Sequence, residues 1–121
     1  MEQGIDNQKG NGRCMKVYHG ERLGEQTTAD DVSVKVSDGD RSYPLDSALN
    51  IRNHSPTGMN WGYWGSGPAQ LALAILVDCV GKDIALNHCS EFMRQRVGDF
   101  KSEWSITEIE IKLWLRNERA K

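Results

Sequence analysis

The chain has 121 residues, a formal net charge of −2 and 38% hydrophobic residues. That length allows one domain with one core and leaves no room for two. The slightly acidic balance gives no overall basic field to favour nucleic acid, and a mean hydropathy of −0.60 suits a soluble protein.

No long apolar run opens the sequence, so neither a secretory signal nor a membrane anchor is expected. Cys14, Cys79 and Cys89 are an odd number without paired spacing, which fits a reduced, cytoplasmic protein. Residues 1–13 (MEQGIDNQKGNGR) are polar and glycine-rich, with too little apolar surface to offset the entropy of ordering. A flexible tail is expected there, followed by a single domain over 14–121.

The first half reads as β-structure. Cys14 to His19 has strand character. Val32, Val34 and Val36 alternate with Ser33, Lys35 and Ser37, the clearest period-2 pattern in the chain. Asp38-Gly39 signals a hairpin turn, with a return strand from Arg41 to about Leu45. Pro44 cannot donate to a ladder, so that strand belongs at an edge or ends early. Three antiparallel strands are expected. Residues 46–59 (DSALNIRNHSPTGM) follow as an irregular connection that carries Arg52 and His54.

The centre of the chain is NWGYWGSGPAQLALAILVDCV, Asn60 to Val80. Asp78 is the one charge between Pro68 and Val80, and apolar residues fall on every face. A helix apolar all round is buried or in a membrane, and 13 residues are too few to span a bilayer, which takes roughly 20. A buried central helix is therefore expected, with Ser66 or Gly67 at its cap, Gln70 reaching back to that cap, and Gly81 as its stop. The preceding loop packs Trp61, Tyr63 and Trp64 among glycines. Such a loop either lids the core with its aromatics or presents backbone N–H groups to an anion at a helix N-terminus. The spacing is neither a Walker loop nor GxGxxG.

Two more helices are expected. Leu86, Cys89, Phe92, Met93 and Val97 form a helical stripe within 82–97, with Gly98 as its stop. Ser105-Ile106-Thr107-Glu108 has the pattern of a capping box, which starts the last helix at Ile106. ITEIEI alone also reads as a strand. Arg116, Arg119 and Lys121 at the end of this helix suit its dipole without a nucleic-acid partner. The fold class is thus α+β: a small antiparallel sheet, a long aromatic loop and three helices, the first of them buried.

The string WGYWGSGPAQLALAIL with Asp78 and Gly81, together with Tyr18-His19-Gly20 and the looser Trp104-Ser105-Ile106-Thr107-Glu108-Ile109-Glu110-Ile111, resembles the domain-of-unknown-function family numbered 6166. The resemblance runs from about Lys16 to Leu115. It implies a bacterial or mobile-element origin and a shared fold, and no activity.

Catalytic spacings are absent from the sequence. His54, His88 and Cys89 do not stand at zinc-site spacing, and Ser66 is not in a GxSxG elbow. Paired carboxylates at Asp38/Asp40 and Glu108/Glu110 flank a turn or lie on different helix sides. No enzyme activity and no cofactor are expected. Two functions remain. One is a non-catalytic accessory protein of a phage or mobile element that binds and inhibits a host protein or ribonucleoprotein complex, such as a defence nuclease (anti-CRISPR-like). Its anchors are the exposed members of Trp61, Tyr63 and Trp64, and acidic residues around Asp30, Asp31, Asp38 and Asp40 face a basic cleft. The other is a small-ligand binder that holds a phosphate or nucleotide at Gly65, Ser66 and Gly67, with Arg52 and His54 nearby for charge pairing. In the second reading, the helix N-terminus must be open to solvent. Four tryptophans leave self-association open.

Overall fold

The computed structural model describes residues 15–22, 32–56 and 58–121. The expected tail and Cys14 lie outside these residues, as do Asp30 and Asp31. The architecture is α+β: strands β1 (Lys16–Arg22), β2 (Val32–Asp38) and β3 (Arg41–Pro44), then helices α1 (Ser66–Val80) and α2 (Lys82–Gln95), a 3-10 turn (Val97–Asp99), strand β4 (Glu103–Thr107) and helix α3 (Glu108–Arg119).

The sheet has four strands in the order β3-β2-β1-β4, all antiparallel, where three were expected. The fourth, Glu103–Thr107, runs through Ile106 and Thr107, which read from sequence as the start of the last helix, although ITEIEI alone also reads as a strand. The sequence holds two overlapping capping patterns, Ser105-to-Glu108 and Thr107-to-Glu110. The first would take Trp104 and Ile106 out of register with Gly20 and Tyr18, their partners on β1. The second keeps that pairing, and it is the one that forms: Thr107 Oγ1 accepts from the Glu110 N–H at 3.1 Å, and Glu110 Oε1 accepts from the Thr107 N–H at 2.9 Å.

β3 ends at Pro44 and lies at the sheet edge, as a residue without an N–H requires. One sheet face carries Tyr18, Val34, Val36, Trp104 and Ile106, all buried. α1 lies in the same core. Leu71, Leu73, Ile75 and Leu76 are fully buried, which accounts for its lack of a polar face. α2 and α3 complete the core, with Phe92 and Trp114 meeting edge to face at 5.0 Å. Gly81 links α1 directly to α2 with a positive φ of 94°, a geometry that disfavours a side chain. α2 ends at Gln95, short of the expected stop at Gly98, and Val97 and Gly98 turn into the core.

Gln70 does not reach back to the helix cap. Gly65 occupies that position with no side-chain cap. The Gln70 amide instead points outward from α1 and is fully buried under the 46–56 segment. Its Oε1 accepts from the His54 and Ser55 N–H groups at 2.7 and 3.1 Å, and its Nε2 donates to the Ser47 and Arg52 carbonyls at 2.6 and 3.1 Å. One fully buried side chain thus bonds four backbone groups of an irregular segment and holds it against α1.

Candidate functional site

The aromatic loop is fastened to the segment that follows α2. The Gly62 N–H donates to the Val97 carbonyl at 3.1 Å, and the Trp61 indole N–H donates to the Lys101 carbonyl at 2.8 Å. Arg22, the last residue of β1, fixes the loop from the other side. Its Nη2 donates to Asn60 Oδ1 and to the Trp61 carbonyl, and its guanidinium lies over the Trp61 ring, 4.8 Å from the centroid. Between these elements runs a cleft of about 530 Å³, bordered by Arg22, Gly62, Tyr63, Asp99 and Lys101 with Trp61 and Phe100 behind them.

The three loop aromatics divide. Trp61 is 0% exposed and packs edge to face on Trp104, which stacks in turn on Phe100. It is core, so it is not among the exposed members of the loop to which the anchor role was assigned. Tyr63 and Trp64 are 48% and 64% exposed. The Trp64 indole rests on Gly98, where a Cβ would stand 2.6 Å from its ring, so a small residue there seats the tryptophan. The Tyr63 ring crosses the start of α1: a Cβ on Gly65 would be 3.0 Å from the ring, and one on Gly67 would be 3.0 Å from its hydroxyl. Asn60 covers Gly67 as well, its N–H donating to the Gly67 carbonyl at 3.1 Å. Gly67 and Pro68 are buried, and Ser66 alone of the first turn is exposed. Tyr63 and Asn60 therefore cover Gly67 at the first turn, while Ser66 beside it stays exposed.

Arg52 and His54 do not border the cleft. They sit on the segment held by Gln70, one turn along α1. Burial, and then the charge of Arg52, hold the His54 imidazole below its ordinary value of 6.5, so it is neutral at pH 7 and supplies no cation to an anion. The acidic hairpin residues Asp38 and Asp40 are also remote from the cleft. Asp38 pairs with Lys16 at the start of β1, whereas Arg22 stands at its end, about 20 Å away at the usual rise per strand residue. They do not form one surface with Tyr63 and Trp64.

Burial raises both described thiols, Cys79 to about 11 and Cys89 above its ordinary value, so both are protonated near neutrality and poorly nucleophilic. Among the described residues, no three His, Cys, Asp or Glu side chains converge as a metal site, and no helix is long and apolar enough to cross a membrane.

A second polar constellation surrounds Asp78. Its carboxylate accepts from the Tyr18 hydroxyl at 2.6 Å, the Tyr43 hydroxyl at 2.8 Å and Lys16 Nζ at 3.1 Å. The single charge of α1 thereby ties the helix to β1 and β3. Sequence reasoning noted Asp78 without a partner, and missed Arg22, Gly98 and Lys101 as walls of the cleft. Their pairing with the loop spans about 40 positions, and no local spacing announces it.

A family model of unknown function, DUF6166, matches residues 18–117, a span that includes Tyr18, Tyr43 and Asp78 of the second constellation, though not Lys16, and the aromatic cleft. No curated protein and no solved structure matches the chain.

Proposed function

The chain belongs to the family of unknown function DUF6166, and on that premise we propose that it is a non-catalytic binding protein whose Tyr63–Trp64 loop docks on a partner macromolecule. One observation carries this reading. Trp64 is 64% exposed while the backbone around it is pinned by hydrogen bonds from Gly62 and Trp61. An exposed tryptophan on a loosely held loop loses conformational freedom on binding; one already fixed loses little. Rigid Trp and Tyr side chains beside a polar cleft are the composition of interface anchors.

The narrower reading, a phage or mobile-element protein that inhibits a host defence nuclease complex, is supported by the family resemblance and not by the site. Site-specific photo-cross-linking in bacterial cells tests the broader one. A cross-linker at Tyr63 should capture a discrete partner. The capture should vanish in Trp64→Ala and be absent with the cross-linker at Asn50. Capture that survives Trp64→Ala, or that is equal at Asn50, overturns the reading.

The small-ligand alternative is favoured by the cleft, where Arg22 and Lys101 border about 530 Å³, rather than by the helix terminus. Thermal shift against nucleotides and inorganic phosphate separates the two. A raised melting temperature that is lost in Lys101→Glu supports a ligand, because binding to the native state stabilises it by mass action.

A further inference from the structure

Arg22 is held in the wall of the aromatic cleft without being neutralised there. Its Nη2 donates to Asn60 Oδ1 at 3.1 Å and to the Trp61 carbonyl at 2.7 Å, and its guanidinium lies on the Trp61 ring. All of these partners are uncharged. Among the described residues no carboxylate pairs with Arg22, and its Nε is buried without a hydrogen-bond partner. A partly buried charge without a counterion is costly, because its surroundings do not replace the water it has lost. Such a group in the wall of a cleft calls for an ion or ligand that supplies the missing charge.

The guanidinium meets the cleft beside Gly62. A Cβ on Gly62 would stand 3.5 and 4.0 Å from Nη2 and Nη1, so the missing side chain leaves room in front of the charge. The opposite wall is fixed before anything binds. The Lys101 carbonyl takes the Trp61 indole N–H at 2.8 Å, and the Ser102 carbonyl takes the Arg22 backbone N–H at 3.2 Å. A wall that is already ordered loses little freedom on binding. Lys101 is exposed, and Asp99 is the carboxylate on the border. Neither forms an ion pair among the described residues. Two cations against one carboxylate leave a single positive charge uncompensated. That balance suits one monoanion. A nucleic-acid backbone is tracked by several cations in a row, and a border that includes Asp99 does not offer them.

We propose that the macromolecule docked on the Tyr63–Trp64 loop is a protein that places an Asp or Glu carboxylate in this cleft, against Arg22, with Lys101 as the second cation at the rim. The inference rests on the docking reading and adds the chemistry of the partner. Gly98 joins the two features: it is part of the cleft wall, and it carries the Trp64 indole. A segment that packs an apolar side chain on Trp64 therefore has a neighbouring side chain within reach of the cleft. A guanidinium binds a carboxylate through charge-assisted hydrogen bonds, and one anchored beforehand by Nη2 directs that contact to one place.

Nuclear magnetic resonance of the nitrogen-labelled full chain tests this with capped glutamate (acetyl-glutamate amide) and capped glutamine as probes at equal ionic strength. With capped glutamate, the Arg22 Nε–H signal and the Lys101 and Ser102 amide signals should shift and saturate. With capped glutamine they should stay in place. Lys101→Glu should abolish the shift. Asp99→Asn should tighten the binding, a gain that damage to the fold would not produce. Equal shifts with both probes, or none with either, overturn the proposal. Inorganic phosphate that binds more tightly than capped glutamate overturns it too, and assigns the cleft to a phosphate-bearing ligand such as a nucleic acid. Photo-cross-linking from Tyr63 separates this inference from the reading beneath it. Capture that is lost in Trp64→Ala but kept in Lys101→Glu leaves the docking reading standing and removes the carboxylate. If the wild type captures nothing, the docking reading falls and the partner's carboxylate falls with it.

Discussion

The Tyr18 hydroxyl lies 2.6 Å from a carboxylate oxygen of Asp78, and that bond ties a central strand to the buried helix. The other oxygen of the carboxylate takes the Tyr43 hydroxyl at 2.8 Å, and Lys16 supplies the cation. Replacing Asp78 with Asn keeps the shape and removes the charge. Hydrogen bonds to charged groups are worth more than neutral ones, so Asp78→Asn should destabilise the fold by about 2–3 kcal/mol. Urea unfolding should show a lower midpoint with an unchanged slope. An unchanged midpoint would mean that solvent already screens the cluster.

The same cluster sets an alkaline limit. Burial, and then the hydrogen bond to Asp78, raise the Tyr18 hydroxyl far above its ordinary 10.0 and raise Tyr43 in the same direction. Burial alone would lower Lys16, but the bond and the charge of Asp78 together raise it above 10.5. Raised folded values mean that, above about pH 10, the unfolded chain releases protons that the folded chain keeps. The unfolded state then binds fewer protons, and stability falls as pH rises. The contribution is fully present below pH 10 and is lost above it. Melting temperature followed through that range should decline, and Tyr18→Phe should make the decline shallower. A slope identical in Tyr18→Phe would assign the alkaline loss to other groups.

Gly20 faces the core two residues after Tyr18 and pairs with Trp104 on β4. Its missing side chain is filled by the Trp104 indole, and a methyl there would overlap the ring. Gly20→Ala should therefore cost about 2 kcal/mol through displacement of Trp104 and of Trp61 and Phe100 packed on it. Wild-type stability in this variant would show that the aromatic stack shifts freely.

Tyr18-His19-Gly20 illustrates what the sequence carries and what it conceals. As a short motif it is visible, but its logic is tertiary: one residue bonds a carboxylate on α1, and the other admits an indole from β4. The alternating valines of β2 and the all-round apolar α1 were legible because each pattern reports its own burial. The last strand was not, because Ser105–Glu108 satisfies a local capping rule as well as Thr107–Glu110 does. Only the pairing of Trp104 and Ile106 with β1 decides between them. The aromatic loop was legible as special, but not which of its rings is core. Trp61 and Trp64 differ only in what lies 30 to 40 residues away, the Lys101 carbonyl for one and Gly98 for the other.

Gln70 makes a separable prediction. Gln70→Leu fills the same space without polar atoms and removes four hydrogen bonds to the backbone of the 46–56 segment. Loss of these bonds should cost about 3 kcal/mol, with cleavage by a nonspecific protease appearing first within that segment. Cleavage that begins elsewhere would mean that the segment is held by its packing and not by this amide.

The two loop tryptophans provide the sharpest contrast. Trp61 is fully buried, edge on to Trp104, with its indole N–H on the Lys101 carbonyl. Trp61→Ala should empty a large volume and cost about 3–5 kcal/mol. Trp64 rests on Gly98 and is 64% exposed, so Trp64→Ala should cost no more than about 1 kcal/mol. Chemical denaturation of the two variants side by side measures the difference. If Trp64→Ala proves as costly as Trp61→Ala, the exposed indole is part of the framework, and loss of partner capture in that variant would reflect unfolding. If the costs separate as expected, Trp64 is free to serve recognition, and any binding lost with it belongs to the contact itself.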